Sequence, residues 1–151
     1  MGTKKKNMPY YQLFMPEGVL TDSSRSAIAK EITHIHCEET GAPESFVHVV
    51  FQAIKKGTQY TAGEIDDQVG VFLGMIREGR SIKERQRIIQ RMSKSISGVL
   101  GRPENQLILN ISEINSATAM EFGLILPHPG GEPEWFEKNK EALKGVSGTG
   151  L

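Results

Sequence analysis

Two arginines flanking a glycine turn, Arg77-Glu78-Gly79-Arg80, are the residues of this chain best suited to gripping an anion. Their guanidinium groups can converge on one carboxylate through forked, charge-assisted hydrogen bonds. Pro9 offers a different chemistry. It follows Met8 and opens the strand-like run Tyr10-Tyr11-Gln12-Leu13-Phe14. If Met8 were the start, its removal would leave a prolyl secondary amine able to accept and donate a proton. As an internal amide, Pro9 has no basic nitrogen. We take Met8 as the functional start, so that residues 1–8 are an N-terminal extension ahead of the domain that begins at Pro9. His34 and His36 lie two apart and would diverge on a helix, so no metal pair is expected there, nor any metal or cofactor elsewhere. Cys37 is expected to be a small buried hydrophobe.

The elements that must position these groups follow from the apolar pattern. Tyr10–Met15 is β-rich, and Thr21 or Asp22 can cap a helix whose buried stripe is Ile28, Ile32 and Ile35. Gly41 and Pro43 stop it, since glycine takes the left-handed cap and proline cannot continue the turn. Phe46–Phe51 reads as a buried strand. Val69–Ile76 predicts the next strand, and Ser81-Ile82-Lys83-Glu84 a capping box. Ile88, Met92, Ile96 and Val99 give the second helix its stripe, Gly101 and Pro103 stop it, and Leu107, Leu109 and Ile111 alternate along a last strand.

These elements are duplicated. Gly41-Ala42-Pro43-Glu44 matches Gly101-Arg102-Pro103-Glu104, and the same displacement carries Ile28 to Ile88, Ile32 to Met92 and Val49 to Leu109. The fold class expected is α+β, an α/β sandwich. Two tandem β-α-β units (9–54 and 69–114) with right-handed crossovers form a four-stranded mixed sheet with both helices on one face. The other face needs a partner, so an oligomer is expected. Residues 55–68 are a polar connector. Residues 115–144 form a C-terminal segment in which a short helix (Ser116–Met120) leads to a Trp135-Phe136 anchor. The whole of 9–144 is one domain, and 145–151 a disordered tail.

Where the halves disagree, function has a claim. On the gapless match Pro9 falls on Val69, His36 on the core position Ile96, Arg77 and Arg80 on Glu17 and Leu20, and Asn110 on Val50. His48, in a strand, and His128, in the tail, have no partner that the sequence identifies.

Composition narrows the class. The chain has 151 residues with 18 basic and 18 acidic side chains, so it lacks the basic excess that duplex binding requires. No apolar run approaches the ~20 residues of a membrane span. A single cysteine excludes an intrachain disulfide, and no signal-peptide pattern opens the chain, so a cytoplasmic protein is expected.

A proline ahead of a strand, a duplicated β-α-β unit and paired arginines at the second unit's first crossover together resemble the tautomerase superfamily. Within it the chain resembles cis-3-chloroacrylic acid dehalogenase and its homologues. The likeness runs from Pro9 to about Phe136 and includes Leu20-Thr21, the run from Glu121 to Gly130, and Glu134-Trp135-Phe136. The resemblance implies that Pro9 is the catalytic amine and that His36, Arg77 and Arg80 bind a small carboxylate substrate. It makes Glu121 the water-activating carboxylate, and it implies a homotrimer. The family's catalytic tyrosine falls on the last strand where this chain has Asn110, which can hydrogen-bond water or Glu121 but cannot exchange a phenolic proton. The expected activity is therefore tautomerisation of 2-oxo acids, with at most weak dehalogenation or hydration. The alternatives are a true cis-3-haloacrylate dehalogenase and, if Pro9 stays an amide, a non-catalytic oligomeric binding protein.

Overall fold

The computed structural model describes residues 9–146. The sequence's stop and start signals act as physical chemistry requires. Helix α1 (Asp22–Thr40) begins where the Thr21 hydroxyl accepts the Ser24 N–H at 3.1 Å, and ends at Gly41, whose φ of 76° is left-handed. Helix α2 (Ile82–Leu100) begins with the reciprocal Ser81–Glu84 box and ends at Gly101, φ 62°. Each helix returns the chain to a parallel neighbour of the strand it left. Strand β1 (Tyr10–Pro16) pairs in parallel with β2 (His48–Ile54), and β5 (Gly70–Arg77) in parallel with β6 (Leu107–Ile114). The two units join antiparallel through β1 and β5, giving the order β2-β1-β5-β6.

The core lies between sheet and helices. Tyr11, Leu13, Met15, Phe72, Ile76 and Ile111 point at Ile28, Ile32, Ile35, Ile88, Met92 and Ile96. Burying aliphatic side chains of this kind contributes about 1.5–3 kcal/mol each, and that burial is what holds the two helices on the sheet. Two expected core residues sit further out: Val99 is exposed and Cys37 half-buried. Phe46 also leaves its expected strand. Pro43 directs residues 44–46 into a 3-10 turn, and β2 starts at His48.

The connector and the C-terminal segment hold more structure than their composition announced. After β2 the chain makes a minimal hairpin, β3 (Tyr60–Thr61) with β4 (Glu64–Ile65). After β6 it makes the same hairpin again, β7 (Met120–Glu121) with β8 (Leu124–Ile125), so Met120 is strand and the 3-10 turn before it is only Ser116–Thr118. The two hairpin turns match residue for residue: Ala62 and Phe122 both have φ of 51°, followed by the left-handed Gly63 and Gly123. Helix α3 (Glu132–Lys138) closes the described chain, with Trp135 and Phe136 packed against Phe46 and Leu126. Of the expected tail, only Gly145 and Val146 are described.

The duplication is real but not gapless. Tyr10 pairs with His48, whereas Ile108, the counterpart of His48, pairs with Val71. The turn from β1 to α1 (17–21) is one residue longer than that from β5 to α2 (78–81). Equivalent bonds confirm the offset: Glu17 N–H donates to the Ile54 carbonyl and Glu78 N–H to that of Ile114. Because side chains alternate along a strand, one residue of slip exchanges the two faces. Pro9 therefore corresponds to Gly70, not Val69, and Arg77 to Pro16, not Glu17.

Close packing at the β1–β5 seam yields a test. A Cβ on Gly74 would stand 2.6 Å from the Tyr11 ring and 3.3 Å from Ile111. Gly74→Ala is expected to lower stability by about 1–3 kcal/mol through overpacking, read as a lower urea midpoint.

Candidate active site

The topology brings one end of the sheet together from several directions. The start of β1, the start of β2 and the ends of β5 and β6 all lie there, with the C-terminal end of α1 beside them. Continuing the register past Tyr10–Met75 sets the buried Pro9 beside Ile76, next to Arg77. The Pro9 carbonyl accepts the His48 N–H at 3.2 Å.

His36 is fully buried on the inner face of α1, and the Tyr11 hydroxyl lies 2.7 Å from its Nδ1. Burial, reinforced by the nearby Arg80 guanidinium, pushes its pKa down to about 3, so the ring is neutral at ordinary pH. Burial also raises the Tyr11 phenol well above its usual value, which keeps this a neutral pair. Nε2 of His36 has no hydrogen-bond partner among the described residues.

Arg77, at the end of β5, is the largest fully buried side chain. Its Nη2 pairs with the Glu132 carboxylate on α3, itself buried. The first carboxylate on this guanidinium is thus the chain's own, a partner sequence reading did not find. Nε and Nη1 stay without a hydrogen-bond partner among the described residues. Arg80 reaches across to α1, where Nη2 donates to the Thr40 carbonyl at 2.9 Å. That carbonyl belongs to the last turn of α1, where helix carbonyls lack intrahelical donors. Arg80 is half-buried, and desolvation pulls its pKa below the usual arginine value.

Glu121 comes in on the second hairpin. Its carboxylate is largely desolvated, which raises its pKa to about 7. Oε1 is 3.5 Å from Nε2 of His48, and the buried Oε2 has no hydrogen-bond partner among the described residues. Phe122 stacks edge-on to Phe46 at 5.0 Å and leans over His48. Asn110 does not join this group within the chain. It is exposed on β6, across the sheet from β2, and its Oδ1 accepts from Ser112 Oγ at 2.9 Å.

So Pro9, His36, Arg77, Arg80 and Glu121 gather at one end, and Asn110 lies apart. His48 and Glu132 are the members that sequence reading missed, because each meets its partner only through tertiary structure. Of His34 and His128, His34 is exposed on α1 beside Glu38. Among the described residues no group of three or more His, Cys, Asp or Glu is placed to hold a metal ion, and no helix is long and apolar enough to cross a membrane.

Comparison with known proteins adds an independent line. A family model described as "Putative oxalocrotonate tautomerase enzyme" matches residues 8–140. A "Probable tautomerase" of Streptococcus pneumoniae serotype 4 is 38% identical over 58 residues, covering 38% of this chain and 95% of that protein. A "Probable tautomerase" of Lactococcus lactis subsp. lactis is 40% identical over 58 residues, covering 38% and 93%. Each of these relatives is thus about the size of one β-α-β unit. Among solved structures, native Ps01740 is 33% identical, with a TM-score of 0.72 over 74% of this chain and 99% of that one. N1, of the cis-3-chloroacrylic acid dehalogenase family, shares the fold at 24% identity, with a TM-score of 0.78 over 88% and 97%.

Two outcomes are expected from the buried pairs. Glu132→Ala leaves the Arg77 charge buried without its counter-charge and should cost about 3–5 kcal/mol, measured by chemical denaturation. The stability that neutral His36 contributes is complete above pH 6.5, its ordinary value, and is lost as pH falls from there towards 3, because only the unfolded chain takes up the proton in that window. Melting temperatures of the wild type should fall more steeply than those of His36→Gln between pH 6.5 and 3.

Proposed function

This chain belongs to the tautomerase superfamily, and we propose that it is a proline-dependent keto–enol tautomerase of small enolisable 2-oxo acids. The observation that carries this reading is the set of buried polar atoms with open hydrogen-bonding capacity. His36 Nε2, Arg77 Nε and Nη1, and Glu121 Oε2 all belong to the end of the sheet where Pro9 lies. Buried polar groups are normally satisfied. Here the missing partners match a carboxylate for the nitrogens and a protonated or protonatable substrate oxygen for Glu121.

In this reading residues 1–8, which lie outside the described residues, are removed, so that Pro9 becomes a free secondary amine. Its burial and the guanidinium charge nearby both disfavour the prolinium form and so favour a neutral base. The base takes the proton from the enol oxygen or from the carbon next to the keto group and returns it at the other position. Arg77 and Arg80, with His36, hold the carboxylate and stabilise the negative charge that develops on the conjugated system.

Asn110, which cannot exchange a phenolic proton, ranks this reading above dehalogenation. Desolvation raises the Glu121 pKa to about 7, and its protonated form is suited to donating a hydrogen bond to an enolate oxygen. Adding water to a cis-3-haloacrylate needs the opposite states: ionised Glu121 directing water at the halogen-bearing carbon, and prolinium protonating the carbon next to the carboxylate. The halohydrin would then lose hydrogen halide to give an aldehyde. The likeness to N1 favours retaining this as the second reading. A non-catalytic binding protein is the outcome if Pro9 remains an amide.

We also propose a homotrimer acting on a monomeric small-molecule carboxylate. The sheet face opposite the helices exposes Leu73 (39%), Met75 (43%) and Ile108 (59%) on adjacent strands, an apolar surface suited to burial against another copy. The fold neighbours include fused 4-OT, solved as a trimer, at 17% identity and a TM-score of 0.71 over 77% of this chain and 94% of that one.

The tests separate these readings. Intact mass of the purified active protein should show Pro9 as its first residue; turnover by a chain retaining residues 1–8 would rule out the proline-amine mechanism. Turnover of phenylenolpyruvate should exceed chloride release from cis-3-chloroacrylate, and equal or greater chloride release would reverse the ranking. Arg80→Ala should lower kcat/KM at least tenfold, about 1.4 kcal/mol, and an unchanged rate would remove Arg80 from the site.

A further inference from the structure

The tautomerase reading gives Glu121 a proton-handling task, and within the chain Asn110 does not assist it, because β6 is the opposite edge strand of the sheet from β2. We propose that His48 is the positioning residue of this site, holding Glu121 through its ring and Pro9 through its backbone. This inference rests on the reading above for what Glu121 does, but not for where it is held.

Three observations carry it. First, His48 Nε2 stands 3.5 Å from Glu121 Oε1, within ion-pair reach, and contacts of catalytic groups in unliganded sites often tighten into hydrogen bonds only when the substrate is bound. Second, the His48 N–H donates to the Pro9 carbonyl at 3.2 Å. One residue therefore links the strand end that presents the proline with the hairpin that presents the carboxylate. Third, the duplication supplies an internal control. The counterpart of His48 is Ile108, in the same place on β6, and the counterpart of Glu121 is Thr61, in the same place on the first hairpin. The fold is built equally well with isoleucine and threonine there. Both positions carry ionisable side chains at the Pro9 end and neither does at the other, so the two have diverged as a pair.

The geometry also says what the pairing accomplishes. A carboxyl group has two oxygens that exchange by rotation about one bond, and either could face the substrate. An Nε2–H bonded to Oε1 stops that rotation and leaves Oε2, the buried oxygen without a partner, as the one that meets the substrate. The Phe122 ring, itself held edge-on by Phe46, lies 6.4 Å from the His48 ring and limits its rotation on that side. His48 touches neither the proposed substrate nor a reacting atom, and it acts through Glu121.

The test uses the full-length chain, processed as it is in active preparations, and compares two substitutions at position 48. His48→Ile installs the residue that the duplicate strand already carries and should preserve folding. It should lower kcat on phenylenolpyruvate at least tenfold with KM changed less than twofold. His48→Gln, whose amide N–H reaches the same oxygen, should return kcat to within about threefold of wild type. In a Glu121→Ala background, His48→Ile should have no further effect. A second readout needs no turnover. Nitrogen-15 spectra of the wild-type histidines should show the proton on Nε2 of His48, and Glu121→Ala should shift that signal. Full activity of His48→Ile, no rescue by glutamine, additive effects in the Glu121→Ala background, or an Nε2 signal indifferent to Glu121 would each overturn the proposal. If the wild type turns over no enol at all, the tautomerase reading fails, and the nitrogen spectra still decide the role of His48.

Discussion

A guanidinium with no exposed surface requires a counter-charge, and much of the architecture at the site end follows from supplying one to Arg77. Glu132 can reach it only if the chain beyond β6 doubles back across the end of the sheet. That return path runs through the β7–β8 hairpin and seats Leu126, Trp135 and Phe136 on Phe46 as a small second core. A buried ion pair adds little net stability, because desolvating both charges offsets most of their attraction. Its contribution is to specificity: one path for the C-terminal segment satisfies the charge, and others leave it bare.

The Arg77–Glu132 pair also explains which parts of the molecule were legible in the sequence. Helix limits were, because a cap is a local bargain between residues three or four apart, as at Thr21–Ser24 and Ser81–Glu84. The core stripes were, because periodicity is local as well. His36 stood out as an imidazole facing Ile96, and that comparison survives because the helices keep the gapless displacement. The comparison failed for β1, where the extra residue at 17–21 moves Pro9 and Arg77 onto Gly70 and Pro16. Both hairpins stayed invisible, since two-residue strands show no alternation and their turns use Ala62 and Phe122 where glycine or asparagine would signal a left-handed residue. Glu132 and His48 were illegible for a plainer reason. Their partners lie 55 and 73 positions away (132 − 77 and 121 − 48), and no local pattern encodes such a distance.

The two ends of the sheet now form a contrast. At the end without the proline, Met15 leans over Gly70, so closely that a Cβ there would fall 2.2 Å from its sulfur. The space around Met15, Ile96, Leu100 and Leu107 comes to about 10 Å³, too little for more than one water. At this end of the repeat the space is thus filled by side chains, with no room for a substrate. The other end has polar atoms in the equivalent place, with their hydrogen-bonding capacity open.

The matching turns at Ala62 and Phe122 bear on that contrast. A non-glycine residue at φ of 51° pays about 1–2 kcal/mol for crowding its Cβ, and here both hairpins carry it. Had the strain arisen to serve the site, only the second hairpin would show it. Its presence at Ala62 as well shows that the turn geometry belongs to the repeated hairpin and not to the site alone. The aromatic ring that leans over His48 therefore sits on a perch that both hairpins possess. Relaxing that turn with glycine would steady the backbone while removing the ring, so local stability and a covered site pull in opposite directions at a single residue.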